Sequence, residues 1–359
     1  MIRNTGIGTY IQGLLEGFRK TGLCQNYEMR LFGKEGPENF PSAKRVSFRS
    51  KIYSFSEQIE YPFRLNRCSV WHSPHYNIPM RKGKTKLVVT VHDLIHWIFR
   101  REFFTSLQAF YAGKMLRHVA RQADHIITVS QKTKDDLIYH FDADPAKISV
   151  IHEGVAEVFR TATNRDKIEA ARKKYGVPES FFLYVGMMRP HKNVLWLIHL
   201  FRRLRKESKI DAGLVLIGKK DRRYPEEFEA LSKLQPQEGI FHIPYVETEE
   251  LAALYTQAIA LVHPSLYEGF GLTLLEAMAC GTAVIACRAA SIPEVVGEEA
   301  ACLVDPCADG EMANALIRLE KVTGLREELE RRGRVRAQRF SWDQAAAKTA
   351  EVYEKVLSE

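Results

Sequence analysis

Apolar residues along the chain fall in short, nearly continuous runs that alternate with longer amphipathic stretches. Such runs are typical of parallel strands covered on both faces, and the stretches between them have helical spacing. Helices are predicted in the first half at Thr9–Lys20, Ser106–Ala123 and Gln131–Phe141. Strands are predicted there at Tyr27–Phe32, Val70–His72, Leu87–Val91, His125–Val129 and Ile148–Ile151.

A polar, charge-rich stretch at Val155–Lys174 is expected to link this set to a second one. The second set has predicted strands at Phe181–Val185, Leu214–Ile217, Ile240–Ile243, Ala258–Val262 and Ala283–Ala286. A chain of 359 residues is longer than one compact core usually needs. We therefore expect an α/β protein with domains at residues 1–160 and 161–340 and a C-terminal helix at 341–359.

The composition is that of an ordinary globular protein, with 45% hydrophobic and 27% charged residues. Its 6 cysteines include no C-x2-C pair, so we expect reduced packing residues and neither disulfides nor a zinc site. No N-terminal stretch resembles a signal peptide, and the longest apolar region, 272–287, is too short to span a bilayer. These features predict a cytoplasmic protein.

The charge of the chain is unevenly distributed. Residues 1–160 contain 24 Lys and Arg against 15 Asp and Glu, a balance of +9, whereas the remainder has 28 against 29. A basic half favours anionic partners. Because no nucleic-acid-binding motif appears, we expect no nucleic acid and favour an anionic membrane surface. The densest basic clusters are 81–86 and Arg100-Arg101, and a solvated face is the alternative interpretation of both.

Two glutamates, Glu268 and Glu276, flank the start of a predicted helix that follows an apolar strand. Gly269 and Gly271 allow backbone amides to approach a ligand closely, and a helix start attracts anions such as a diphosphate. A carboxylate in apolar sequence needs hydrogen-bond donors, and the hydroxyl pairs of a sugar are suitable ones. The alternative is a helix N-terminus with two acids favoured by the helix dipole.

Polar residues also follow several predicted strands, at the edge where open parallel sheets bind ligands. Lys192 lies at a helix entrance, where its charge can meet the anion that the helix attracts. His92 ends one strand, where it can hydrogen-bond a ligand hydroxyl, and His72 and His75 end a neighbouring strand. The alternatives are a surface lysine and satisfied strand-end histidines. Ser130 and Glu153 are weaker candidates at the same edge.

Three patterns along the chain are misleading. Gly6-Ile7-Gly8 is not a dinucleotide fingerprint, because Ile11 occupies the position of the third glycine. Gly213–Lys220 lacks the final Ser or Thr of a phosphate-binding loop and contains an apolar strand. The histidines near positions 72–96 lie on separate loops, so we expect no metal site.

The segment at 267–278 resembles the glutamate-x7-glutamate motif of the nucleotide-sugar-dependent retaining glycosyltransferases of family 4, also called glycosyl transferases group 1. Residues 281–286 and 292–297 match the same family pattern, and Thr273 departs from it where proline is common. The resemblance covers nearly the whole chain. It implies the GT-B fold, in which two Rossmann-like parallel-sheet domains face each other across a crevice and a C-terminal helix crosses back to the N-terminal domain.

The resemblance also implies roles for residues on the donor side. Glu276 would bind the ribose of the donor nucleotide, and Glu268, a catalytic candidate, would lie beside the transferred sugar. Lys192, in a segment similar to the family's P-x-K-N, would contact the diphosphate. The further donor residues that it implies are Arg189 for the diphosphate, Val246 for the base, and Gly269, Phe270 and Gly271 for the sugar.

On the acceptor side, the resemblance places His92 of an HDL motif near the donor sugar and acceptor, as the second catalytic candidate. His72 and His75 would line the acceptor side. A loop at Gly6–Tyr10 would close over the ligands, with Gly8 near the donor phosphates and Tyr10 near the acceptor.

The function implied by the resemblance is retaining transfer of a hexose from a nucleotide diphosphate sugar to a hydroxyl of a glycan or lipid-linked acceptor, without a metal or cofactor. The HDL and PHKN segments are similar to those of bacterial O-antigen and exopolysaccharide mannosyltransferases, so GDP-mannose is the first expected donor. The alternatives are a UDP- or ADP-sugar-dependent glucosyltransferase or epimerase, and a non-catalytic glycan-binding subunit. The expected location is cytoplasmic, at the inner face of the plasma membrane.

The start of the chain departs from the family pattern, in which a strand precedes the glycine loop. Here the chain opens directly at Met1–Gly8. We expect the absence of this strand to leave unpaired backbone and a void that costs several kcal/mol. A misassigned start codon or a truncated chain is the simplest explanation.

Overall fold

Two compact units make up the chain. A computed structural model describes residues 6–33, 43–48, 50, 55–65, 68–103, 105–161 and 164–359. The first unit comprises the described residues up to Gly154 together with Phe340–Glu359, and the second unit comprises Val155–Arg339. The expectation about an absent opening strand falls on residues 1–5, which lie outside the described residues.

All strands in the described residues belong to three parallel sheets. The strands are β1 (Arg30–Phe32), β2 (Lys44–Val46), β3 (Val70–Ser73), β4 (Lys86–Val91), β5 (His125–Thr128), β6 (Ile148–Val150), β7 (Phe181–Val185), β8 (Gly213–Ile217), β9 (Ile240–Ile243), β10 (Ala260–His263), β11 (Ala283–Cys287) and β12 (Cys302–Val304). In the first unit the sheets have the orders β1-β2 and β3-β4-β5-β6, and in the second unit the order is β12-β11-β10-β7-β8-β9. The α/β class with one parallel sheet core in each half is confirmed.

Helices connect the strands within each unit. They are α1 (Gly6–Lys20), α2 (Phe55–Leu65), α3 (Ile95–Ile98), α4 (Ser106–Gln122), α5 (Gln131–Phe141), α6 (Glu157–Arg160), α7 (Arg165–Tyr175), α8 (Val194–Lys206), α9 (Pro225–Ser232), α10 (Thr248–Gln257), α11 (Leu272–Cys280), α12 (Ile292–Val296), α13 (Asp309–Lys321), α14 (Thr323–Ala337) and α15 (Trp342–Ser358). Among the described helices, none is long and apolar enough to cross a membrane.

The last helix, α15, packs against α1 and belongs to the first unit. Glycines make room for Trp342 at its start. A Cβ on Gly13 would lie 2.1 Å from the Trp342 ring, and a Cβ on Gly17 or Gly154 would lie 2.2 Å from the Trp342 backbone. Because real Cβ contacts are longer than this, these three positions accept only glycine without movement of the helix.

The apolar runs become strands because both faces of each central strand are buried. Every residue of β5, β8, β10 and β11 is buried. The predicted bounds of these strands are therefore close to the observed ones. The short strands β2, which begins with Lys44, and β12, of which only Val304 is buried, were not predicted.

The polar stretch predicted as a linker is instead largely helical. Within 155–174 the described residues form α6 and most of α7. Asn164 caps α7 by accepting a hydrogen bond from the backbone N–H of Lys167, and Glu169 pairs with Arg172 and Lys173 along the helix. Such local pairs favour a helix that buries few residues, so an apolar pattern could not reveal it.

Candidate functional site

The centre of the six-stranded sheet is where the second unit gathers its candidate residues. β7 lies between β10 and β8, so the strand order reverses between β7 and β10. Open α/β sheets bind ligands beyond the carboxyl ends of the strands at such a reversal. The segments that leave β7 and β10 there carry Lys192 and Glu268, and a backbone hydrogen bond from Leu266 N–H to the His191 carbonyl joins them.

One carboxylate oxygen of Glu268 is the meeting point of this cluster. Lys192 Nζ lies 2.5 Å from Glu268 Oε1, and His263 Nε2 lies 2.7 Å from the same oxygen. In the described part of the chain, Oε2 of Glu268 has no hydrogen-bond partner. We call Lys192, His263 and Glu268 the Glu268 cluster; it holds one oxygen of the carboxylate and leaves the other open.

The electrostatics of the Glu268 cluster keep its carboxylate ionised. Burial alone would raise the pKa of Glu268, but the charge of Lys192 and the hydrogen bond from His263 outweigh it and hold the pKa well below the usual range. Burial, together with the negative charge of Glu268, raises the pKa of Tyr184 on β7. The site therefore offers an anionic oxygen beside a lysine ammonium.

The loop between β10 and α11 is fixed by its own backbone. Ser291 Oγ, which is buried at the start of α12, donates to the carbonyl of Glu268 at 2.8 Å and lies 3.1 Å from that of Phe270. Gly271 has φ 106°, a conformation that side chains rarely adopt, and it immediately precedes α11. The predicted sugar-binding segment Gly269–Gly271 is therefore a fixed turn at the start of this helix.

Glu276 lies at the start of the second turn of α11. Its Oε2 accepts a hydrogen bond from Tyr255 Oη of α10 at 3.2 Å. Burial and the charge of Glu276 raise the pKa of Tyr255 well above its ordinary value, so the tyrosine remains a donor. Glu268 therefore precedes the turn at Gly269–Gly271, and Glu276 follows it inside α11.

The other donor-side candidates lie at the same edge of the sheet. Arg189 immediately precedes a 3-10 turn at Pro190–Lys192. The hydrogen bond from Arg223 holds the pKa of Asp221 below its usual value, and the charge of Arg189 lowers it further. Val246 is buried, after β9 and before α10. Their predicted contacts with the donor stay predictions.

The first unit has a different cluster, which we call the His92 cluster, at the carboxyl end of β4. His92 Nδ1 lies 3.2 Å from Glu153 Oε1, and Nε2 lies 3.0 Å from the Pro74 carbonyl oxygen. Because both partners are acceptors, the ring is best satisfied when both nitrogens carry protons. Burial opposes the charged ring, but the hydrogen bonds to Glu153 and the carbonyl outweigh it and raise the pKa of His92.

Tyr10 and His72 lie in one chain of hydrogen bonds beside His92. Tyr10 Oη and His72 Nε2 both bond Thr90 Oγ1, at 2.9 and 2.8 Å, and His72 Nδ1 lies 2.6 Å from Tyr353 Oη of α15. The Tyr10 ring stands edge-on to that of His92, with 4.8 Å between centroids. Both ring nitrogens of His72 are thus occupied within the chain, and the acceptor-binding role predicted for it stays a prediction.

Two further predictions in the first unit have structural outcomes. The predicted loop at Gly6–Tyr10 is helical, because α1 begins at Gly6, so Gly8 lies in a helix and not in a closing loop. His75 Nδ1 accepts from the Asn77 N–H at 3.2 Å. Burial, reinforced by the nearby charge of His92, lowers the pKa values of His72 and His75 to about 3, so both rings are neutral near pH 7.

Several residues of these clusters escaped the sequence analysis. His263 is the last residue of an apolar parallel strand, a position that also holds polar residues in other strands, so this signal was available. Tyr255, Ser291 and Tyr353 gave no such signal, because their partners lie far away in the sequence. Over the described residues, no group of His, Cys, Asp and Glu has the arrangement of a metal site.

Two family models and several named relatives match this chain. Residues 4–159 match the family model for Glycosyltransferase Family 4, and residues 167–336 match that for glycosyl transferases group 1. The chain is 28% identical over 285 residues to O-antigen chain mannosyltransferase B of Escherichia coli, covering 79% of this chain and 74% of the relative. It is 35% identical over 253 residues to the MMP alpha-(1->4)-mannosyltransferase of Mycolicibacterium hassiacum, covering 68% of this chain and 57% of that relative.

A solved structure shares the fold of the whole chain. The structure of HepE from Anabaena with UDP and glucose superimposes with a TM-score of 0.78 at 16% identity, covering 99% of this chain and 97% of that one. The fold is GT-B, as the resemblance implied. With one family model matched in each half, the chain belongs to the family 4 glycosyltransferases.

Proposed function

We propose that the chain transfers a hexose, with mannose from GDP-mannose as the first candidate, to a hydroxyl of a glycan or lipid-linked acceptor in cell-surface polysaccharide synthesis. The observation that carries this proposal is the Glu268 cluster, where an ammonium and an open carboxylate oxygen lie together beyond β7 and β10. The ammonium can pair with the negative charge of a diphosphate, and the open carboxylate oxygen can accept a hydrogen bond from a sugar hydroxyl. The mannosyltransferase relatives support mannose as the sugar.

In this proposal the residues of the second unit bind the donor. Lys192 would contact the diphosphate, Glu276 would accept hydrogen bonds from the ribose hydroxyls, and Glu268 Oε2 would accept one from the transferred sugar. The bond between the anomeric carbon and the phosphate oxygen breaks while the acceptor oxygen bonds to the same face of that carbon. The acceptor proton passes to an oxygen of the departing diphosphate, so the configuration is retained.

The charge on the departing diphosphate would be stabilised by protein groups. Lys192 is already at the site and needs only to exchange Glu268 for a phosphate oxygen, so this proposal includes no resident metal or organic cofactor. A positioned cation aimed at developing negative charge contributes a large part of many rate enhancements.

His92 would act as a fixed donor and not as a general base. A base must have a free lone pair, whereas both ring nitrogens of His92 face acceptor oxygens and its pKa is raised. The charged ring would therefore order the carboxyl end of β4 and add positive charge at this edge of the first unit.

A nucleotide-sugar screen tests the proposed function directly. Thermal shift with GDP-, UDP- and ADP-sugars should show stabilisation by one nucleotide class, largest with GDP-mannose. Glu276→Ala should abolish this shift, whereas Glu299→Ala, a change at an exposed glutamate, should leave it unaltered. No shift with any nucleotide sugar would contradict the proposal, and free epimer formed without acceptor would indicate an epimerase.

The UDP-sugar alternative rests on one specific observation. HepE, whose fold the chain shares, binds UDP and glucose. A larger thermal shift with UDP-glucose than with GDP-mannose would replace the proposed donor and leave the site assignment intact.

We also propose that the first unit contacts an anionic membrane surface on the cytoplasmic side, where a lipid-linked acceptor would be held. Leu107 and Phe110 of α4 are 77% and 59% exposed. Lys114, Arg117 and Arg121 continue their helix face and are exposed, and α4 contains no acidic residue. An apolar stripe with basic residues and no acids suits a surface of anionic lipid.

Vesicle sedimentation tests this contact. The chain should bind vesicles with anionic phosphatidylglycerol more strongly than vesicles of phosphatidylcholine, and binding should fall with salt. Leu107→Glu with Phe110→Glu should abolish binding, whereas Tyr139→Glu, at an exposed tyrosine of α5, should not. Equal binding by both variants would contradict the proposed surface.

A further inference from the structure

His263 occupies a position in the Glu268 cluster that no motif predicts. It is the last residue of β10, and its side chain is 2% exposed. Its Nε2 lies 2.7 Å from Glu268 Oε1, and because a carboxylate only accepts, Nε2 carries the proton of this hydrogen bond. Within the described parts of the chain, the buried Nδ1 has no partner, so the ring's polar contact is with Glu268.

Lys192 and His263 share Glu268 Oε1, but they differ in how freely they can leave it. The Lys192 side chain is 19% exposed, has a flexible four-carbon stem and leaves the last residue of a 3-10 turn. The histidine is fixed by its strand and by burial. When a donor diphosphate takes the lysine, His263 remains as the group that holds this oxygen.

We propose that His263 is the positioning residue that keeps the Glu268 carboxylate ionised and oriented, with Oε2 open to the transferred sugar, while Lys192 is bound to the donor diphosphate. This inference rests on the proposed function, because it requires a diphosphate at Lys192. Without His263, the buried carboxylate would have no remaining donor once the lysine has moved, and it would take up a proton. A protonated Glu268 can rotate and donate, so the sugar would no longer meet a fixed acceptor.

Few titratable groups face Glu268 and could hold its carboxylate after Lys192 has moved. They are Lys192 from the 3-10 turn, His263 from β10 and Tyr184 from β7. Tyr184 Oη donates to the Met187 carbonyl at 3.2 Å, and burial raises its pKa, so it keeps its proton and uses it for that bond. In the described structure, His263 is therefore the titratable group that still donates to Glu268 when Lys192 leaves.

Proton uptake on binding of GDP tests this role. Calorimetry of GDP binding at pH 6 in two buffers of different ionisation enthalpy counts the protons that binding takes up. His263→Leu should take up about one proton more than the wild type, because Glu268 protonates as Lys192 leaves it. His263→Gln retains an N–H donor and should return uptake toward the wild-type value.

His242→Leu is the matched control. His242 lies on β9 in the same sheet and bonds the Gly218 carbonyl at 2.7 Å, so the change is chemically identical but remote from the Glu268 carboxylate. It should leave proton uptake at the wild-type value. GDP binding by His263→Leu without extra uptake would overturn the inference and leave the proposed function standing, whereas no binding of GDP, UDP or ADP by the wild type would overturn both.

Discussion

The Glu268 cluster and the His92 cluster use opposite arrangements around an ionisable group that is mostly, but not fully, buried. Glu268 is an anion whose one oxygen receives two donors, from Lys192 and His263. His92 has two ring nitrogens that meet two acceptors, Glu153 and the Pro74 carbonyl, and this favours its protonated form. The first arrangement leaves an oxygen open and contains a lysine that can move, whereas the second is complete. The difference suggests that ligand exchange occurs at Glu268 and that His92 provides fixed structure and charge.

The largest expected effect comes from removing the mobile cation. Lys192→Met should lower kcat/KM by about 10²–10³, because a positioned charge at the departing group is lost. Steady-state kinetics with the donor found in the nucleotide-sugar screen measures this. Lys206→Met removes an exposed lysine from the end of α8 and should have no effect. An unchanged kcat/KM in Lys192→Met would contradict the idea that the Glu268 cluster exchanges ligands while the His92 cluster is fixed.

Removing one acceptor from the complete cluster should affect stability first. Glu153→Gln should lower the free energy of unfolding of the first unit by about 1.5–3 kcal/mol near pH 6, because a charged hydrogen bond is lost. The folded-state pKa of His92 is raised, so its contribution is present below the unfolded pKa and is lost as pH rises. Hydrogen exchange of β4 and β5 measures the effect, which should shrink by pH 9.

The matched control for this change is Glu102→Gln, at an exposed glutamate of the first unit. It should not alter the exchange of either strand. A Glu153→Gln variant whose exchange equals that of the control at pH 6 would show that His92 is not held as a cation.

A further effect separates the two units by their response to acid. His72 and His75 have folded pKa values of about 3, below the unfolded value near 6.5. The unfolded chain therefore binds more protons in this window, and the first unit loses up to about 1.4 kcal/mol per pH unit for each histidine as pH falls from 6.5. Hydrogen exchange at pH 6.5 and 5 should show this loss in β3 and β4 and less change in β10. An equal change in both units would contradict the assignment.

The parts of the fold that the sequence predicts are those governed by local burial. Central strands such as β8 and β11 are apolar throughout, so their bounds follow from the residues. Helix α7 was missed because it is held by its cap and charge pairs, and α1 begins earlier than predicted, at Gly6. Lys192 and Glu268 were each identified from strand ends and glycines. Their ion pair depends on strand order, which apolar patterns do not encode.

The central claim is that Lys192 exchanges between Glu268 and the donor diphosphate. Calorimetric titration of Glu268→Gln with GDP tests it most directly, in parallel with a turnover assay. Freed from its ion pair, Lys192 should bind GDP more tightly, by up to about tenfold or 1.4 kcal/mol, while turnover falls about a hundredfold or more. Weaker GDP binding together with lost turnover would contradict the claim, because Glu268 would then support nucleotide binding and not compete for the lysine.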